Sequence, residues 1–144
     1  MVSKTTSTKH KSVESIIRDW HIVDLKNKIL GRSATTIAVF LQGKHKATYS
    51  AFSDSGDYVV VINSKHVKLT GNKSNVKEYQ SYSGYPGGLK TKTFKEVLAK
   101  DPNLIIKYAV SGMLPKNKLR KKRLARLFIF SESEHTYQDK FKTK

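Results

Sequence analysis

The stretch Asp-Ser-Gly-Asp-Tyr-Val-Val-Val-Ile, residues 54–62, decides the fold of this chain. Its second half is a run of mainly β-branched residues, which is typical of a strand that is covered on both faces. Its polar first half is typical of a turn that leads into the strand. A strand of this kind indicates a parallel sheet with helices on either side, as in an α/β protein.

A second strand and a helix precede this stretch. Residues 20–24, Trp-His-Ile-Val-Asp, alternate in a way that predicts a strand. Five apolar residues then recur at the spacing of one helix face: Leu30, Ala34, Ile37, Ala38 and Leu41. Gly43 marks the end of this helix. Strand, helix and strand in this order predict a right-handed βαβ unit with parallel strands.

Two further helices are predicted in the second half of the chain. Thr93 and Glu96 form a capping-box pattern for a helix over residues 94–100. Asp101 and Pro102 combine a helix cap with a proline at the first helical position. This second helix should end before the next proline, because the residue before a proline avoids helical geometry.

Two more strands complete the predicted architecture. Residues 76–82 predict a polar edge strand, and residues 127–130 predict a last buried strand. The fold class is therefore α/β, a three-layer α/β/α sandwich on a small, mostly parallel sheet. We expect a disordered or extended basic N-terminal extension over residues 1–18, one α/β domain over residues 19–130 and a polar tail over residues 131–144.

Positive charge dominates the composition. Lysine and arginine number 28 against 11 acidic residues, which gives a formal net charge of +17 over 144 residues. Charge of this size favours a polyanionic partner, either nucleic acid or an anionic membrane surface. No apolar run is long enough to span a bilayer. The absence of cysteine excludes disulfides and thiolate metal sites.

The cations are densest after Pro115. Seven of the eleven residues 116–126 are lysine or arginine, and none is acidic. An isolated helix of this composition would repel itself, so the segment favours neutralisation by phosphates. The alternatives are a solvated basic face, a nuclear-import signal and a membrane-surface helix, for which two leucines are few.

Smaller basic clusters occupy predicted loops. Residues 44–46 are Lys-His-Lys, Lys73 lies in a short glycine loop, and Lys90 and Lys92 follow the Gly/Pro loop 83–88. Loops let lysines and backbone amides approach phosphates together, and glycine permits close approach. The clusters together favour nucleic acid over a membrane.

Two tyrosines flank Gly84 in the Gly/Pro loop. Tyr82 and Tyr85 could stack on an unpaired base or pack on a ribose, as aromatic side chains do in RNA-binding proteins. The alternative is that both rings cover the edge of the core. The sequence leaves these two interpretations open.

The first fifteen residues contain no apolar core for a secretory signal. They are rich in serine and threonine, like an organellar transit peptide, but they lack the arginine typical of a mitochondrial presequence. We expect a disordered extension that contacts RNA, with a transit peptide and a plain tail as alternatives.

Asp54 and Asp57 form the one close carboxylate pair beside a predicted strand. Such a pair could bind magnesium for phosphodiester cleavage, but no third acid is evident and Asp-Ser-Gly-Asp is also an ordinary turn. The five histidines show no metal-ligand spacing, and residues 71–74 lack the glycine of a phosphate loop. We therefore predict no catalytic site, no metal site and no cofactor.

Six short motifs also follow one another in a specific order. They are Asp-Trp-His-Ile-Val-Asp at 19–24, Leu-Gly-Arg at 30–32, Gly-Lys-His-Lys at 43–46, Gly-Asp-Tyr at 56–58, Thr-Gly-Asn-Lys at 70–73 and Gly-Met-Leu-Pro-Lys at 112–116. Over residues 19–135, their order and spacing resemble the bacterial type of the L13 family of large-subunit ribosomal proteins. The proline in the Gly/Pro loop, the glycine-free basic segment and both chain ends depart from the family pattern.

The resemblance implies a three-layer α/β/α domain with a parallel sheet of four strands. It also implies a structural protein without catalytic activity that binds large-subunit ribosomal RNA early in assembly. By resemblance, nine positions should lie against RNA: Lys44, His45, Lys46, Lys73, Gly84, Gly87, Gly88, Lys90 and Lys116. The charge and aromatic pattern adds eight: Tyr85, Lys92, Lys118, Arg120, Lys121, Lys122, Arg123 and Arg126.

The predicted partners are large-subunit ribosomal RNA and neighbouring large-subunit ribosomal proteins, with no membrane and no small-molecule substrate. The predicted RNA-binding domain is the α/β domain over residues 19–130. We expect a cytoplasmic rather than an organellar ribosome. Two rival hypotheses are a metal-dependent nuclease that uses Asp54 and Asp57, and a general RNA chaperone or DNA-compacting protein. RNA cleavage would distinguish the first rival, and equal affinity for unrelated nucleic acids would distinguish the second.

Overall fold

The predicted parallel sheet forms the centre of the fold. In the computed structural model, which describes residues 16–141, β1 (Trp20–Asp24) pairs in parallel with β2 (Tyr58–Ile62). β5 (Leu127–Ile129) pairs in parallel with the other side of β2, so the strand order is β1-β2-β5. These three strands are confirmed. The predictions for residues 1–15 lie outside the described residues.

The helices follow the predicted pattern closely. α1 spans Leu30–Gln42, α3 spans Phe94–Lys100 and α4 spans Pro102–Met113. Two shorter helices were not predicted. α2 (Lys73–Val76) follows the predicted glycine loop and includes the first residue of the strand predicted at 76–82, and α5 (Leu119–Leu124) lies in the basic segment after Pro115. None of the helices in residues 16–141 is long and apolar enough to cross a membrane.

The predicted caps are present at both helix starts. The Thr93 hydroxyl accepts a hydrogen bond from the backbone N–H of Glu96, and the Glu96 carboxylate accepts one from the N–H of Thr93. The Asp101 carboxylate accepts a hydrogen bond from the N–H of Asn103 at the start of α4. Each cap satisfies backbone N–H groups that the helix leaves unpaired, which is why these local patterns were informative.

The main core lies between one face of the sheet and the helices α1 and α4. Val59 and Val61 of β2 are fully buried in it together with Ile37 and Leu41 of α1. The buried residues of α4, among them Ile105, pack into the same cluster. The apolar spacing along α1 therefore identified the side of the helix that the sheet covers.

The opposite face of the sheet corrects the predicted third layer. Trp20 stacks on Tyr58 with 4.5 Å between ring centroids, and it contacts Tyr137 at 5.2 Å and Phe141 at 6.3 Å. Val60, on this same face, is fully buried. Within residues 16–141 the C-terminal segment thus covers this face, and no helix of the α1 and α4 kind does. Stacked aromatic rings already bury a large flat area, so a short chain segment suffices to close the face.

The prediction of a four-stranded parallel sheet is wrong. β3 (Glu78–Tyr82) pairs with β4 (Leu89–Thr93) in an antiparallel hairpin that forms a separate two-stranded sheet. Both strands are largely exposed, and their polar side chains are unsuited to a sheet that is buried on both faces. No strand was predicted for the sequence Leu-Lys-Thr-Lys-Thr of β4, which lacks an apolar alternation.

Candidate nucleic-acid interface

The amino ends of β1, β2 and β5 meet at one edge of the parallel sheet, and α1 also ends there. Gly43 closes α1 with a positive φ of 77°. A Cβ atom added at Gly56 would lie only 1.8 Å from the Leu41 carbonyl oxygen, so glycine is required for the close approach of the segment before β2 to α1. The result is that the basic residues after α1 and those before β5 share this edge, which we call the basic edge.

Asp54 is the first of two carboxylates that organise the basic edge. The Arg126 guanidinium donates two hydrogen bonds to it, at 2.7 and 2.6 Å. Arg18 and Arg123 lie within ion-pair distance, at 3.8 and 3.7 Å. Burial alone would raise the pKa of Asp54, but the hydrogen bonds and charge of Arg126, aided by the other two arginines, hold it below its ordinary value.

Asp57 is the second carboxylate and is fully buried. One of its oxygens, Oδ1, accepts hydrogen bonds from the Lys46 ammonium and from the backbone N–H of Asp19. The other, Oδ2, lies 3.0 Å from Nε2 of His21 and 2.9 Å from Nε2 of His45. Burial would raise the pKa of Asp57, but the hydrogen bonds from Lys46 and His21 outweigh burial and lower it.

These contacts argue against the magnesium-dependent nuclease. The oxygens of Asp54 face arginines, and the oxygens of Asp57 face an ammonium, a backbone N–H and two imidazoles. A divalent ion bound by both carboxylates would have to displace these groups. The two aspartates therefore act as anchors that hold basic residues in place. The turn predicted at residues 54–57 lies earlier, at residues 51–53, and residues 54–57 form an irregular segment that leads into β2.

The basic segment after Pro115 divides into two groups. Arg123 keeps 1% of its surface exposed and Arg126 keeps 7%, and both face Asp54. Arg120 is partly buried and donates a hydrogen bond to the backbone oxygen of Ser111. The lysines of the segment are all exposed: Lys116, Lys118, Lys121 and Lys122. Only the second group is free to approach a large polyanion without rearrangement of the fold.

The loop after α1 divides in the same way. Lys44 is exposed, whereas Lys46 bonds to Asp57 and also donates a hydrogen bond of 2.9 Å to the backbone oxygen of Ile17. The imidazole of His45 points its Nε2 at Asp57 and keeps about 30% of its side-chain surface exposed. In this cluster, Lys44 is the most accessible cation.

The hairpin of β3 and β4 carries the other predicted contacts. Paired residues of antiparallel strands lie on the same face of a hairpin. Lys90 pairs with Ser81 and Lys92 pairs with Tyr79, so both lysines share one face of the hairpin. Both are exposed, as is Lys73 at the start of α2.

The tip of the hairpin argues against one of the two interpretations of the tyrosines, that their rings cover the edge of the core. Tyr82 is 66% exposed and Tyr85 is 75% exposed, so neither ring covers the core. Gly84 and Gly87 adopt positive φ values of 89° and 72°, which glycine permits without strain. A Cβ atom added at Gly88 would lie 2.9 Å from the backbone carbonyl oxygen of Tyr85, so the third glycine is needed for a tight tip.

Some residues of the candidate site were missed by the sequence analysis. Arg18 was assigned to the N-terminal extension, yet it donates a 2.8 Å hydrogen bond to the Asp54 carbonyl oxygen. His21 was considered only for metal-ligand spacing, yet it meets Asp57 and stacks on Phe40 at 4.2 Å. Neither role has a local sequence signal, because the partners lie far away in the chain.

Comparisons with known proteins identify the family of this fold. The family model described as "Ribosomal protein L13" matches residues 18–136. The chain belongs to the ribosomal protein L13 family. The resemblance inferred from the six motifs is thereby confirmed.

Individual relatives match over nearly their full lengths. The large ribosomal subunit protein uL13 of Syntrophotalea carbinolica is 49% identical over 131 residues, which cover 91% of this chain and 92% of the relative. The uL13 proteins of Tolumonas auensis and Thermotoga petrophila are each 48% identical, over 86% and 95% of this chain and 87% and 90% of their own lengths. The similarity therefore includes the basic edge and the hairpin.

Proposed function

We propose that this chain is a structural component of the large ribosomal subunit that binds and stabilises folded large-subunit ribosomal RNA early in subunit assembly. The observation that carries the proposal is the sorting of cations in the basic segment, where the arginines face acceptors inside the fold and the lysines are exposed. The names of the relatives, large ribosomal subunit proteins, support the choice of partner.

The proposed RNA contacts fall into two groups. At the basic edge, exposed lysines would neutralise backbone phosphates: Lys44, Lys116, Lys118, Lys121 and Lys122. On the hairpin, Lys73, Lys90 and Lys92 would contact phosphates, the loop glycines would permit close approach, and Tyr85 would stack on an unpaired base or pack on a ribose. His45 and Lys46 would act next to Lys44, and Arg120, Arg123 and Arg126 would support the surface from inside.

The proposal assigns no reaction to the chain. The carboxylates that could have formed a nuclease site are engaged by internal cations and N–H groups. The proposed partners are ribosomal RNA and neighbouring ribosomal proteins, and the proposed location is a cytoplasmic ribosome. Incubation of ribosomal RNA with the protein and magnesium should leave the RNA intact, and cleavage that Asp57→Asn abolishes would contradict this part of the proposal.

Salt dependence tests the phosphate contacts. With about six to ten contacts, affinity for a ribosomal RNA fragment should fall by a factor on the order of a thousand or more between low and near-physiological salt. Binding to unrelated RNA and to duplex DNA is measured in parallel. Similar affinity for all three would favour a general RNA chaperone, and weak salt dependence would overturn the proposed phosphate contacts.

The hairpin tip is tested separately with Tyr85. Tyr85→Ala should weaken RNA binding by about 1–3 kcal/mol with an unchanged salt slope, because stacking on a base involves no counterion release. Tyr85→Phe is the matched control, since it keeps the ring and should bind almost normally. Equal loss in both variants would exclude stacking. Co-sedimentation of the natural chain with the large subunit in a gradient tests the assignment as a whole.

A further inference from the structure

Three potential metal ligands converge at the basic edge although they are far apart in the sequence. His21 lies in β1, His45 follows α1, and Asp57 precedes β2. One ring nitrogen of each histidine and one carboxylate oxygen of Asp57 all lie within 4.8 Å of one another. We propose that His21, His45 and Asp57 form a binding site for Zn²⁺.

The donor atoms of the three side chains suit zinc. Two imidazole nitrogens and one carboxylate oxygen are a ligand combination that zinc accepts, with a fourth position left for water. Calcium and magnesium prefer sites made of oxygen atoms, so the two imidazoles select against them. The zinc ion would require the unprotonated Nε2 of both rings, which the Nδ1–H tautomer provides.

The separations of the donor atoms can be compared with those in a tetrahedral zinc site. Zinc bonds of about 2.0–2.2 Å in a tetrahedral arrangement place neighbouring ligand atoms about 3.2–3.6 Å apart. The observed separations from Asp57 Oδ2 are 3.0 Å to His21 and 2.9 Å to His45. Entry of the ion therefore requires Oδ2 to separate from each ring by a few tenths of an ångström. It also requires a spacing of about 3.2–3.6 Å between the two ring nitrogens, which lie within 4.8 Å of each other.

The surroundings hold the ligands in position. The ring of His21 stacks on Phe40 at 4.2 Å, and the ring of His45 meets Phe40 edge-on at 5.3 Å. Lys46 and the Asp19 N–H bond to Oδ1 of Asp57, which fixes the carboxylate while its Oδ2 faces the histidines. Such outer contacts orient metal ligands in proteins. The side chains of His21 and His45 are 26% and 30% exposed, so an ion can reach them from solvent.

Titration with Co²⁺, a spectroscopic substitute for Zn²⁺, tests the site in the full-length protein. One equivalent should produce the visible absorption bands of a four- or five-coordinate ion, and Zn²⁺ should remove them. His21→Phe and His45→Phe should each weaken Zn²⁺ binding at least tenfold. His66→Gln changes an exposed histidine outside the cluster and should bind normally. Equal affinity in all four proteins, or the absence of the bands, would overturn the site.

A measurement on the natural chain covers the case in which a histidine variant fails to fold. Nitrogen-15 NMR of the imidazoles should show a zinc-dependent shift of Nε2 in His21 and His45 at one equivalent, and none in His66. Unchanged Nε2 signals would mean that both rings simply donate hydrogen bonds to Asp57, which would overturn the proposal. These tests contain no RNA, so their outcome is independent of the proposed ribosomal function.

Discussion

Lys121, Lys122 and Arg123 are consecutive in α5, yet they lie in opposite environments. The two lysines are exposed, whereas Arg123 is 1% exposed and lies 3.7 Å from Asp54. Of the Arg123 nitrogens, Nε and Nη2 have no hydrogen-bond partner within residues 16–141, so its attraction to Asp54 is electrostatic. The comparison teaches that this basic segment performs two tasks: its arginines hold the fold together, and its lysines present charge at the surface.

Removal of the anchor should have the largest effect. Asp54→Asn leaves Arg126 and Arg123 buried without a negative partner. The free energy of unfolding should fall by about 3 kcal/mol, the lower end for a broken buried ion pair, because the Asp54 side chain keeps 13% exposure. Urea denaturation followed by circular dichroism measures the change. Stability close to that of the natural chain would show that the inner arginines need no anchor.

The contribution of Asp54 to stability should depend on pH. The pKa of Asp54 is lower in the folded chain than in the unfolded chain, where it is about 3.9. Ionised Asp54 therefore stabilises the fold above that pH, and the contribution is lost as pH falls through the folded-state pKa. The stability difference between the natural chain and Asp54→Asn should be constant near neutral pH and narrow below about pH 4. A difference of equal size at about pH 3 would contradict this assignment.

The outer lysines should affect RNA binding and leave stability unchanged. The double variant Lys121→Ala/Lys122→Ala should reduce the salt slope of RNA binding by about two units, one for each phosphate contact. Its unfolding free energy should change by less than about 0.5 kcal/mol, as for most surface positions.

Arg123→Met is the matched variant from the same helix. This variant should leave the salt slope of RNA binding unchanged, because the guanidinium of Arg123 is buried. Its free energy of unfolding should differ from that of the natural chain. If Arg123→Met flattened the slope as much as a lysine variant does, Arg123 would have to turn outward in the complex. That result would remove the proposed distinction between inner and outer cations.

A surface ion pair provides the smallest effect. Lys65 and Glu132 are joined at 2.8 Å, but both side chains are largely exposed. Solvent screens such a pair, so Glu132→Gln should leave the midpoint of urea denaturation unchanged within experimental error. A clear loss of stability would mean that burial does not separate strong ion pairs from weak ones in this fold.

The local patterns of the sequence determined most of the individual elements. The apolar positions of α1, the β-branched run of β2 and the capping box at Thr93 each depend on residues within a few positions of one another. The backbone conformation of such segments follows from their own side chains. The six family motifs added the identity of the family, which charge and periodicity alone do not provide.

Tertiary structure decided how the individual elements and charges are arranged relative to one another. A polar strand was expected at the edge of the main sheet but forms a hairpin with β4, and aromatic residues of the tail cover the face that helices were expected to cover. The charges of residues 116–126 look alike in the sequence. Asp54, more than sixty residues earlier, pairs with Arg123 and Arg126 inside the fold.

Tertiary structure also brings together the cluster of His21, His45 and Asp57. No spacing rule unites them, because a parallel sheet brings the amino ends of distant strands to one edge. The sequence by itself thus determined the elements, the family and the excess of positive charge. Only the folded chain decided which charges are anchors, which are exposed and which side chains meet, because burial and pairing depend on contacts between residues that are distant in the sequence.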